Sequence, residues 1–148
     1  ISAGLYKVLG LSRLALKPIK ILIMDSCERA LDALKQKLGD RVHTHKDDLY
    51  GVSYDGLKVR GAPEALVKVH QASEVGDVLK LANEFRIPVT SRGSGSSLTG
   101  GATPFQGGWV LDLSKLSSID IDPANMLARC GPGTVVGNLQ KKVAEHGL

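Results

Sequence analysis

PVTSRGSGSSLTGGATP, residues 88–104, is the stretch on which the reading of this chain turns. It holds four glycines and neither a lysine nor an acidic residue. Apolar, strand-forming residues stand on both sides, at 87–89 and at 109–113. A loop pinned between two strands can turn successive backbone N–H groups towards one anion, because glycine tolerates positive φ and lets a ligand approach the main chain. Arg92 adds a fixed positive charge beside that nest. The hydroxyls of Ser94, Ser96 and Ser97 add neutral donors. The expected structure is a diphosphate cradle.

Two familiar nucleotide loops are excluded by spacing. Gly93 and Gly95 match the first two positions of a dinucleotide fingerprint, but Leu98 stands at the third, and a strand pattern follows instead of a helix. The Gly-Lys-Ser/Thr of an ATP-binding P-loop is missing. A flexible Gly/Ser linker is the bland alternative. The stretch is short, contains Arg92 and Leu98, and joins two strongly patterned segments, all of which argue against a linker.

Outward from the loop, residues 65–69 read as a strand and residues 73–85 as a helix. Ser73 is its expected N-cap, Glu74 and Asp77 occupy the first turn, and Val75, Val78, Leu79, Ala82 and Phe85 form the inner face. Residues 87–90 make a second strand. Strand, helix, strand at these lengths predicts a βαβ unit with a parallel pair. The glycine loop then leaves the carboxyl end of a parallel strand, where open α/β sheets bind ligands. After the loop the period becomes two: Trp109, Leu111 and Leu113 alternate with Val110 and Asp112, Ile119 and Ile121 with Asp120 and Asp122. A turn at residues 122–125 leads to a strand at 126–130, so this half is expected to be antiparallel. A last helix is expected from Thr134 to Glu145, with Val136, Leu139 and Val143 inward.

Upstream, Ser26 is the expected cap of a helix ending at Leu38 before Gly39, its stripe made by Cys27, Leu31, Leu34 and Leu38. Residues 40–63 are polar, turn twice at Asp55-Gly56 and Gly61, and read mostly as loop. The chain has 148 residues and a formal charge of +4. The whole excess sits in Lys7, Arg13, Lys17 and Lys20, ahead of the first acidic residue, Asp25. The remainder is balanced, which gives no electrostatic case for nucleic acid. In the leader, 1–23, basic residues break every apolar run short of the roughly 20 residues of a membrane span. It reads either as a transit or interfacial segment, or as a piece appended ahead of a start at Met24. The division expected is therefore 1–23 as leader, 24–63 as N-terminal helix and loop, and 64–148 as the N-terminal part of a binding domain. An opening at Ile1 and a stop just after His146-Gly147 are those expected of a piece of a longer polypeptide.

The ordered matches Asp55-Gly56, Gly61-x-Pro63, the 73–85 helix, Pro88-Val89, Arg92 to Ser97, Gly100-Gly101-Ala102, the Gly108 to Leu113 strand and Gly131-Pro132-Gly133 resemble the FAD-binding PCMH-type (vanillyl-alcohol oxidase) superfamily. Within it they resemble the FAD-linked subunit of glycolate oxidase and the D-lactate dehydrogenases. The resemblance implies an α+β fold: an N-terminal βαβ subdomain plus the start of a mostly antiparallel second one. It implies that Arg92, Gly93, Ser94, Gly95, Ser96 and Ser97 hold the FAD diphosphate. Pro88 and Val89 would flank the cofactor, Gly100 would allow close approach, and Pro132 would pack near the adenine or ribose end. Covalent-flavin branches carry histidine where Ser96 stands, so non-covalent FAD is expected. The implied activity is oxidation of a 2-hydroxy acid, glycolate or D-lactate, to the 2-oxo acid, with a quinone, cytochrome or partner subunit taking the electrons. A reductase of the UDP-N-acetylenolpyruvoylglucosamine type, or an inactive FAD-binding fragment, is the alternative. The catalytic residues would lie outside this chain.

Other candidates carry less. His43 and His45 lack a third ligand at suitable spacing, so no metal is expected. Asp47-Asp48 and Asp120/Asp122 read as solvated surface. Cys27 and Cys130 are expected to be reduced and buried, which points to the cytoplasm, with membrane association only through partners.

Overall fold

The computed structural model describes residues 17–148, with side chains from Ser26 onwards. The first described helix, α1, runs over Lys17–Leu38. Ser26 is therefore inside a helix and not at its cap. The expected stripe is correct: Leu34 and Leu38 are buried with Ala30, and Leu31 packs beside them. The part of the leader before Lys17 lies outside the described residues.

A single 3-10 turn, Gly39–Arg41, leads into β1 (Val42–His43) and then α2 (Lys46–Val52). The stretch expected to be mostly loop thus contains two short elements. Next come β2 (Ala65–Lys68), α3 (Ala72–Glu84), β3 (Val89–Arg92), β4 (Trp109–Asp112), the hairpin β5 (Ile119–Asp122) and β6 (Leu127–Cys130), and α4 (Val136–Ala144). The α+β class is as expected. One sheet has four strands in the order β1-β2-β4-β3; the other is the antiparallel pair β5-β6.

The strand order corrects two expectations. β2 and β3 are parallel but not neighbours, because β4 inserts between them and pairs in parallel with both. β4 therefore belongs to the parallel sheet, not to the antiparallel half. Its period-two look misleads because both of its faces are covered. Trp109, Val110 and Leu111 are all buried, as in the central strand of a sheet packed on two sides. Antiparallel pairing is confined to the short edge strand β1 against β2 and to the hairpin.

Register sorts the side chains into two faces. Ala65, Val67, Val89, Trp109 and Leu111 share one, and it forms the main core with Ala30, Leu34, Val78 and Ala82 from the helices and Ile87 from the turn before β3. Leu66, Thr90, Arg92 and Val110 share the other. Leu66 and Val110 are buried there too, under the returning loop, whose Ala102, Thr103 and Pro104 are themselves buried.

Helix α3 starts earlier than Ser73, with Gln71 as its N-cap. The Glu74 carboxylate reaches back to accept the N–H groups of His70 (2.7 Å) and Gln71 (3.2 Å), which moves the helix start upstream. Leu79 is 47% exposed, and Leu81 packs on the core in its place. In α4, Leu139 and Val143 are half-buried as expected, but Val136 is exposed. Both cysteines are free, but Cys27 is only half-buried and Cys130 is exposed, so neither is the buried thiol expected.

Candidate diphosphate cradle

The loop leaves β3 at Gly93, at the carboxyl ends of three parallel strands, and the chain then returns to their amino ends to start β4 beside β3. Its amides are what distinguish it. Among the described residues, the N–H groups of Gly93, Ser94, Gly95, Ser96, Ser97 and Leu98 have no acceptor within the protein. Nearly all main-chain donors in a fold find partners or water. An unbroken run of free ones suits a ligand that accepts many hydrogen bonds.

The hydroxyls pair with each other, Ser94 Oγ with Ser96 Oγ at 3.0 Å and Ser97 Oγ with Thr99 Oγ1 at 2.9 Å. Each pair uses one O–H as donor and leaves the other proton available. Gly95 has φ of +72°, a conformation open to glycine at no steric cost. The loop contains no acidic residue.

Arg92 differs from its expected role. The guanidinium is expected to set a fixed charge beside the nest and, with the loop, to hold the diphosphate. Instead Nη1 donates to the carbonyl of Tyr54 at 2.8 Å and to that of Ala102 at 3.4 Å, and Nη2 donates to that of Gly51 at 3.4 Å. Asp112 is its register partner on β4. Its carboxylate accepts the Ser114 N–H at 2.8 Å, and among the described residues no carboxylate lies within 4 Å of the guanidinium.

Of the other expected residues, two join the loop. The carbonyl oxygen of Pro132 lies 3.4 Å from where a Cβ on Gly93 would be. Gly100 is buried, with the Phe105 ring and the Leu57 side chain 3.1 and 3.3 Å from its own Cβ position. Pro88 and Val89 are not brought in. They stand at the far end of β3, about 15 Å away at roughly 3.3 Å per residue. There Pro88 accepts the Trp109 N–H at 2.9 Å and Val89 packs on the core.

The sequence reading missed what supports the loop from behind. Asp55 is 3% exposed, and its carboxylate accepts the N–H of Leu57 at 3.0 Å and of Ala102 at 3.5 Å. A Cβ on Gly56 would come within 2.8 Å of the Ser97 carbonyl oxygen. Gly61 donates to Ser53 O at 2.7 Å and Ala62 to Pro104 O at 3.3 Å, closing the seam. The Asp-Gly pair signalled a turn; nothing local signalled that the turn was a buttress. Leu57, Leu98 and Phe105 are exposed around Gly100 and give the polar cradle an apolar rim. His43 and His45 take the nearest aspartates, Asp48 at 3.4 Å and Asp47 at 3.5 Å. Among the described residues no three His, Cys, Asp or Glu side chains could hold a metal ion. No described helix is long and apolar enough to cross a membrane.

Free amides, spare hydroxyl protons, an acid-free loop and an apolar rim fit a nucleotide diphosphate with a flat apolar part. The fold and this loop define a nucleotide-binding lobe of mixed α+β type. The chain belongs to the FAD binding domain family, whose profile matches residues 63–148; FAD is the cofactor that this family takes. Over 83 residues it is 41% identical to a D-lactate dehydrogenase of Archaeoglobus fulgidus, covering 56% of this chain and 19% of that protein. Over 121 residues it is 32% identical to the glycolate oxidase subunit GlcD of Escherichia coli, covering 80% and 24%. Among solved structures it resembles p-cresol methylhydroxylase, with a TM-score of 0.66 and 26% identity over 84% of this chain and 25% of that one. The chain thus spans about a fifth to a quarter of the length of these relatives.

Proposed function

We propose that this chain is the diphosphate-holding lobe of an FAD-linked oxidoreductase that converts a 2-hydroxy acid, of the glycolate or D-lactate type, to its 2-oxo acid. The observation that carries the cofactor half is the run of free amides from Gly93 to Leu98. The activities of the relatives support the substrate half. Gly93 to Ser97 supply the donors, Gly100 and the apolar rim lie beside them, and Pro132 closes the side facing Gly93. Bound FAD would supply the hydride acceptor, which no side chain here can provide. The protein's part is to grip, orient and shield. Ser96 has no ring nitrogen with which to form a histidyl link, so the cofactor is held without a covalent bond. The acceptor is a quinone, cytochrome or partner subunit. The two unpaired cysteines suit a reducing compartment, the cytoplasm.

The whole natural polypeptide tests this. It should purify with visible flavin absorbance, and acid precipitation should release all the flavin into the supernatant. Glycolate or D-lactate should bleach it without oxygen, and NADPH should not. A colourless protein that refuses added FAD removes the cofactor half. Bleaching by NADPH alone replaces the dehydrogenase with a reductase.

A further inference from the structure

We infer that Arg92 is a positioning residue, the post on which the diphosphate loop is wound, and not a ligand of the diphosphate. The inference rests on the reading of this loop as the diphosphate cradle. Three observations carry it. The guanidinium holds three carbonyls from two separate segments: Gly51 and Tyr54 at and just beyond the end of α2, and Ala102 at the far end of the loop itself. Gly95 lies directly on the guanidinium, so that a Cβ there would collide with Nη2 and Cζ and stand 2.7 Å from Nε. The one acidic side chain in register with it, Asp112, accepts the Ser114 N–H and forms no ion pair with it.

Together these describe a side chain facing inward. A guanidinium has five donors in one plane. Three point at main-chain carbonyls, and Gly95 covers the flat face. Beside it, the amides from Gly93 to Leu98 have no protein acceptor, and a run of free donors keeps one shape only if something else fixes the backbone. Arg92 does so by tying the start of the loop to Ala102 and both to the buttress behind. Lysine cannot replace it. An ammonium is a point donor on a round stem, without the planar fork that serves separated carbonyls or the flat face that receives a peptide.

A direct phosphate ligand and a post respond differently to substitution. FAD affinity of the whole natural polypeptide, followed by quenching of flavin fluorescence, should fall at least tenfold in Arg92→Lys, to within threefold of Arg92→Gln. Recovery of wild-type affinity to within threefold in Arg92→Lys would show that charge, not shape, is what matters, and would overturn the proposal. Exchange of the Ala102 and Thr103 amides, held by the Asp55 carboxylate and the Gly100 carbonyl at the far end of the loop, gives a second readout without FAD, independent of cofactor. It should quicken at least tenfold in Arg92→Lys while α1 and β4 stay protected; unchanged exchange overturns the proposal. Gly95→Ala keeps the guanidinium and pushes a methyl into it. Its effect on loop exchange should be at least threefold smaller in an Arg92→Ala background than alone, and equal effects overturn the proposal. If Arg92→Lys does not fold, Gly95→Ala alone must quicken loop exchange tenfold, and failure to do so overturns it. Should wild type refuse FAD altogether, the cofactor reading fails, and the exchange results still decide the role of Arg92.

Discussion

Thr103 is 4% exposed, yet its hydroxyl has no partner among the described residues. Leaving a buried hydroxyl unpaired costs on the order of 1–3 kcal/mol. Valine has almost the same shape and no such penalty. Thr103→Val is expected to stabilise the cofactor-free protein by about 1 kcal/mol, read as a raised urea midpoint with an unchanged slope; a lowered midpoint would mean that the hydroxyl has a partner after all. The two thiols should also part company. Burial, with a smaller contribution from the Glu64 carboxylate, pushes the Cys27 thiol up, whereas Cys130 stands exposed on β6. Reactivity follows the thiolate and its access. At neutral pH a maleimide is expected to label one site quickly, and Cys130→Ala should abolish that fast phase; persistence of the fast phase in the variant would place it at Cys27.

Elements were legible where their signal is local and obscure where it is not. The loop 93–101 could be placed from sequence because glycine and serine chemistry acts within a few residues of itself. The apolar stripe of α1, ending before Gly39, could be read for the same reason. The start of α3 could not, because its N-terminus is set by a side chain reaching backwards. Glu74 accepts two main-chain N–H groups and Arg41 Nη1 at 2.8 Å, and Arg41 lies far upstream. Strand order escaped too. Val110 looks half-solvated beside Asp112, but its neighbours Leu66 and Thr90 come from strands on either side. The role of Arg92 depends on carbonyls about forty residues away, which no spacing announces.

Glu74 gives a prediction at this scale. The His70 N–H holds its carboxyl below the ordinary value of 4.5, burial opposes that, and Arg41 and the Gln71 N–H add to the lowering. A carboxyl that titrates lower when folded than when unfolded stabilises fully above its unfolded value, and that contribution disappears as pH falls through the folded value. The acid limb of stability below about pH 4.5 should therefore be shallower in Glu74→Gln. At pH 7 the variant should lose about 0.3–1 kcal/mol, because the amide oxygen still accepts the two N–H groups while the charge at the helix start is gone. Denaturant melts from pH 3 to 7 measure both; an acid limb as steep as wild type would remove Glu74 from the account.

At the scale of the molecule, burial is uneven. The four-stranded sheet is covered on both faces, while every residue of β6 is exposed. Met126, Leu127, Val135 and Val136 are each more than 60% exposed and lie at or beside the hairpin. Gly131 extends the hairpin ladder by donating to Ser118 O at 2.9 Å, and Gly133 donates at the same distance to the carbonyl of Leu116, which packs on the main core. The hairpin is thus tethered at its base and bare along its length. An uncovered strand edge with large apolar side chains is a template for pairing with another chain. These 148 residues, produced alone, are expected to self-associate through β6. Leu127→Lys with Val136→Lys should shift sedimentation towards monomer, because charge on an exposed strand opposes edge pairing and burying a lysine costs far more than burying leucine. The same double change should leave exchange protection in β2 and β4 untouched, since neither side chain belongs to the sheet core. If association persists in the double variant, the sticky surface lies elsewhere, and the apolar rim of Leu57, Leu98 and Phe105 is the next place to put a charge.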